Sequence, residues 1–118
     1  YASPNAVFVF HDCYPFERIS ASRERKTTFW SGDVWKVIHI LEKYRPDLSL
    51  QTVQAAPTGL GVVTGMDPTS TILEENFNAI VEEFMPMSYD YVEEHVAERL
   101  HLVPNDRATL ESLLPQAH

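Results

Sequence analysis

Apolar and polar positions change period several times along this chain, and each change marks an element. Val7-Phe8-Val9-Phe10 is an unbroken apolar run of β-branched and aromatic residues. Such a run predicts a strand over residues 6–10 that is buried on both faces, as in a parallel sheet. It stops at His11 and Asp12, and Pro15 turns the chain. The polar, charged stretch over residues 14–28 predicts a loop long enough to act as a lid. Val34, Val37, Ile38, Leu41 and Tyr44 then recur at helical spacing. This helix is expected to start near Ser31 as N-cap, with Asp33 in its first turn, and to end at Pro46. Residues 48–55 alternate as a strand does, Pro57-Thr58-Gly59 marks a turn, and residues 60–64 read as another strand. Together they predict an antiparallel hairpin at a sheet edge.

The pattern changes after Asp67-Pro68. Thr71-Ile72-Leu73-Glu74 matches a capping box. Ile72, Leu73, Phe77, Ile80, Val81 and Phe84 then predict an amphipathic helix to about residue 85, ended by Pro86. A further helical pattern spans residues 88–100, with Tyr89, Val92, Val96 and Leu100 on one face. Pro104-Asn105-Asp106 breaks it, and Leu110, Leu113 and Leu114 mark a short last helix. The expected organisation is an α/β unit over residues 1–66 and a helical appendage over residues 67–118. Three strands and one helix are too few to cover both faces of a parallel sheet. The chain is therefore expected to be the later part of a larger protein.

Composition narrows the function classes. The chain has 118 residues, 44% hydrophobic and 22% charged, as a globular domain does. Nine Lys and Arg stand against seventeen Asp and Glu, a net charge of −8, which argues against nucleic-acid binding. No run reaches the roughly 20 apolar residues of a membrane span. A single cysteine, Cys13, and no signal-peptide pattern lead to the expectation of a cytoplasmic protein. Arg18, Arg23, Arg25 and Lys26 form the one basic cluster, either a solvated loop or a lid that meets an anionic ligand. Gly59-Leu60-Gly61 reads as a turn into a strand, not as a phosphate loop.

Ligands of α/β sheets sit beyond the carboxyl ends of the strands, and His11 and Asp12 fall there. An imidazole, which ordinarily titrates near about 6.5, is suited to general-base work at neutral pH. Asp12 can orient His11, bind an acceptor, or ligate a cation; the alternative is a structural pair that ties down the loop. Cys13 lacks the neighbours of a hydrolase nucleophile. His39, His95 and His101 read as surface or partly packed helix histidines.

Three motifs carry a family resemblance. They are His11-Asp12-Cys13-Tyr14-Pro15, Trp30-Ser31-Gly32-Asp33-Val34-Trp35-Lys36, and Arg45-Pro46-Asp47-Leu48 with Gly59-Leu60-Gly61-Val62-Val63. Over about residues 5–65 the chain resembles the C-terminal half of bacterial class I S-adenosylmethionine-dependent methyltransferases. The resemblance implies the last part of a Rossmann-like seven-stranded sheet: strand five, a helix, and strands six and seven as an antiparallel pair. It implies methyl transfer to a small-molecule or saccharide acceptor, with His11 and Asp12 as the catalytic pair. Tyr14, Trp30 and Asp33 would border the acceptor, with Phe16 beside Tyr14; for Trp30 the alternatives are a lid anchor or plain packing. Asp12 is also the candidate ligand for Mg²⁺. The chain lacks the family's glycine-rich loop and the acid that ends its second strand, so S-adenosylmethionine is expected to be held mainly by residues outside it. The competing expectation is a noncatalytic interaction domain, with Phe77, Phe84, Met85, Met87, Tyr89 and Tyr91 of the helical tail forming an oligomer interface.

Overall fold

The computed structural model describes residues 3–15, 18–25 and 30–114. It is an α/β arrangement around one mixed four-stranded sheet. The strands are β1 (Phe8–His11), β2 (Ser49–Val53), β3 (Leu60–Thr64) and β4 (Leu102–Val103), in the order β1-β3-β2-β4. β3 runs antiparallel to both β1 and β2, while β4 lies parallel to β2. The expected antiparallel pair is present, but β3 is interior to the sheet and not at its edge. Short helices α1 (Lys36–Tyr44), α2 (Ile72–Glu75), α3 (Phe77–Phe84), α4 (Asp90–Glu93), α5 (Val96–Arg99) and α6 (Arg107–Leu113) complete the chain, with a 3-10 turn at Arg18–Ala21.

Register decides which face each strand residue serves. Leu50 and Phe8 both lie opposite Val63, and Phe10 lies opposite Gly61, so these residues share one face. α1 covers that face: Leu41 packs with Leu50 and Val63, with Phe10 against them. Gly61 permits this approach, since a Cβ there would stand 2.7 Å from Cys13 Sγ and 3.3 Å from Ile38 Cδ1. β1 was expected to be buried on both faces, but Phe8 is 47% and Val9 57% exposed. The reason is position: among the described residues β1 pairs only with β3, so one edge of the strand is open.

Helix boundaries also differ from the sequence pattern. α1 starts at Lys36 and not near Ser31, because residues 32–35 form turns. Ser31 is not its cap. Its backbone N–H and hydroxyl both donate to the Ser20 carbonyl, at 3.0 and 3.2 Å. Asp33 therefore lies ahead of the helix, with its backbone carbonyl accepting from Lys36 N–H. The expected capping box at Thr71 is absent: the Thr71 hydroxyl donates to Glu75 Oε1 at 2.9 Å. The helix expected up to residue 85 divides at Asn76, whose side-chain amide donates to the Ile72 carbonyl at 2.8 Å. A side chain competing for backbone partners interrupts a helix in this way.

The stretch from residue 67 onward is not wholly helical. After α5 it returns as β4, where Thr52 N–H donates to the His101 carbonyl and Gln54 N–H to that of Val103. Val92 and Leu100, both fully buried, pack with Trp35 and Ala21 in a second core cluster. The tail thus shares its core with the loop and α1. No helix of the described residues is long and apolar enough to cross a membrane.

Candidate functional site

The carboxyl end of β1 presents its two ionisable residues side by side. His11 is the last strand residue and its side chain is 67% exposed; its Nδ1 lies 2.8 Å from Asp12 Oδ1. Asp12 has a φ of +66°, a left-handed conformation rare outside glycine but tolerated by Asp. This kink turns the next residue inward, and Cys13 is fully buried. Burial pushes the Cys13 thiol up to about 11, with a smaller contribution from the Asp12 charge. An inert buried thiol is a packing residue, not a nucleophile.

The β2–β3 connection clamps the pair. The Thr58 hydroxyl donates to Asp12 Oδ1 at 2.6 Å, and the Thr58 carbonyl accepts from Tyr14 N–H at 2.7 Å. Gly59, at φ +71°, fits beneath Tyr14, since a Cβ there would meet Tyr14 Cβ at 2.6 Å. Thr58 was missed as a site residue, because its motif signals only a turn until β1 is known to pair with β3.

The other expected site residues are placed differently. Tyr14 is half-buried against the cluster of Ala21, Trp35, Val92 and Leu100. Trp30 anchors the loop: its Nε1 donates to the Ser22 carbonyl at 2.7 Å and its ring lies over Gly32. Trp35 Nε1 makes a similar bond to the Ala21 carbonyl at 3.2 Å. Asp33 lies 3.5 Å from Lys36 Nζ. None of Tyr14, Trp30 and Asp33 hydrogen-bonds to the side chain of His11 or Asp12 among the described residues. Phe16 and Lys26 lie outside the described residues.

His39 is packed more completely than the surface or partly packed position expected of it. It is buried, stacked edge-on against Trp35 and Tyr91 with ring centroids 5.7 and 4.9 Å away. Among the described residues neither ring nitrogen has a hydrogen-bond partner, and burial holds its pKa down at about 4.

As a metal ligand Asp12 stands without a set. Among the described residues no group of three or more His, Cys, Asp and Glu could hold a metal ion. A cation there would need ligands from elsewhere. No family model matches the chain, and comparisons with curated proteins and with solved structures return no match.

Proposed function

We propose that the α/β unit of this chain is the C-terminal portion of an S-adenosylmethionine-dependent methyltransferase acting on a small-molecule or saccharide acceptor. The observation that carries this reading is the His11–Asp12 pair beyond the carboxyl end of β1, clamped by Thr58. The order of strand, helix and antiparallel strand pair agrees with it, as does the open edge of β1, where further strands of a larger sheet would pair.

The donor supplies an electrophilic methyl group. Its cradle does not fit here: the space over Gly59 and Gly61 is already filled by Tyr14 and Cys13. On this reading the donor is held mainly by residues outside those described, and this chain contributes the acceptor side. His11 Nδ1, facing a carboxylate oxygen, holds its proton toward Asp12 and leaves the Nε2 lone pair free. Nε2 is the atom that would accept a proton from an acceptor hydroxyl or amine. Asp12, fixed by Thr58, acts by orienting that ring.

The test begins with calorimetric titration of S-adenosylmethionine into the complete gene product. Binding heat is expected, and its absence would overturn the reading. With labelled donor and a panel of small hydroxylated acceptors, His11→Ala should lower methyl transfer by roughly 10²–10⁴-fold with donor binding retained. Unchanged transfer would remove His11 from this role.

A further inference from the structure

Two hollows beside α1 share two cations in their walls. The larger, about 360 Å³, lies between α1 and α3, with Val34, Val37, Ile40, Ile80, Val81 and Phe84 among its walls. Arg23, Lys36 and Asp33 stand at its border. The smaller, about 230 Å³, is bounded by polar groups that include Arg18, Ser22, Arg23, Lys36, Ser88 and Tyr89. Arg23 and Lys36 line both.

We propose that the larger hollow binds a free single-chain amphipathic anion, with its hydrocarbon chain between α1 and α3 and its head group on Arg23. Charge selects the anion. Three of the chain's nine Lys and Arg border these hollows, matched in number by Asp33, Asp90 and Glu93, so it is the placement of Arg23 and not a local excess of charge that favours an anion. Two of the three are already compensated. Arg18 is paired with Asp90 and Glu93. Lys36 donates to the Met85 carbonyl at 2.7 Å and lies 3.5 Å from Asp33. Arg23 has no ion pair with a described residue, so its charge stands without an ion-pair partner in the wall of the apolar groove.

The groove accounts for the chain. Its volume lies in the range of small-molecule sites, and such sites combine apolar walls with a few polar groups that set orientation. Phe77, 64% exposed, and Met85, also exposed, flank the groove and leave apolar surface for a hydrocarbon to cover. The loop carrying the cations is pinned, since the Ser20, Ala21 and Ser22 carbonyls all accept bonds from residues 30–35. The hollow is thus preformed, which lowers the ordering cost of binding. This inference does not depend on methyl transfer.

The experiment titrates the full chain with decanoate below its micellar concentration and follows tryptophan fluorescence, because Trp35 lines the smaller hollow. Saturable binding of decanoate is expected, with decanol at least tenfold weaker and acetate undetectable. Arg23→Ala, at an exposed side chain without an ion pair among the described residues, should weaken decanoate about tenfold and leave decanol unchanged. Val81→Phe, which narrows the groove, should weaken both, with circular dichroism confirming that each variant is folded. Equal affinity for decanoate and decanol, or indifference to Arg23→Ala, would overturn the proposal. So would the absence of saturable binding, or binding seen only on anionic vesicles and never with the monomeric amphiphile. Light scattering closes the last alternative: a dimer seated on α3 that decanoate does not displace also overturns it.

Discussion

His39 carries a titratable ring into the packed side of α1, where burial outweighs everything else that acts on it. Glu42, with Oε2 3.8 Å from Nδ1, favours the charged form, while His101 and Arg99 oppose it. The result is a pKa of about 4, below the ordinary 6.5. The folded chain therefore keeps the ring neutral, and the unfolded chain takes up a proton first. Stability from this group is whole above about pH 6.5 and is lost as pH falls toward 4, a span worth about 3 kcal/mol. Urea denaturation between pH 7 and 4 should show this decline, and His39→Phe should flatten it. An unaltered slope in the variant would mean that another group titrates. Nothing in the sequence separates His39 from His95, since both lie in amphipathic patterns; only the approach of Tyr91 and Trp35 from different segments makes one of them a core residue.

At the scale of elements, the apolar periodicities located most of the architecture, and local side-chain chemistry moved the boundaries. β3 and α6 lie where their patterns place them. β1 is found, but its burial is misjudged, because an apolar run does not reveal how many neighbours a strand has. The start of α1 and the break at Asn76 depend on polar side chains choosing between backbone partners, a choice the sequence leaves open. β4 went unseen because two residues carry no period. The His11–Asp12 pair was legible because it sits at the end of a plain apolar run, whereas Thr58 became visible only through strand pairing. α6 offers a test of local chemistry in isolation. The Asp106 carboxylate caps it by accepting from Thr109 N–H at 2.8 Å, and the helix has no buried residue. Asp106→Ala should remove this cap and lower the stability of the helix. It should appear as faster amide exchange over residues 107–113 with little change in global unfolding. A large drop in the global midpoint would show that α6 is coupled to the core.

For the whole molecule, the question is whether residues 1–66 can stand without residues 67–118. Composition and pattern suggest a boundary there, but the packing crosses it repeatedly. Trp35 lies against Val92 and Leu100, with Tyr89 edge-on to its ring at 5.3 Å. Lys36 Nζ reaches the Met85 carbonyl, Lys43 pairs with Glu83, and β4 closes the outer edge of β2. Removing the later residues would return much of the Trp35 ring to water. An aromatic of this kind covers about 150–250 Å², or roughly 4–6 kcal/mol at about 25 cal/mol per Å². That is comparable to the whole stability of a small domain, about 5–15 kcal/mol. The opened edge of β2 would add unpaired backbone groups to the loss. A chain ending at residue 66 should therefore lack a cooperative thermal transition and the near-ultraviolet dichroism of ordered tryptophans. The full chain should unfold in one step, with Trp fluorescence and far-ultraviolet dichroism coincident. A cooperative melt of the shortened chain, with its tryptophan signal intact, would show that the α/β unit is autonomous and that the core formed around Trp35 is a docking contact between two independently folding parts.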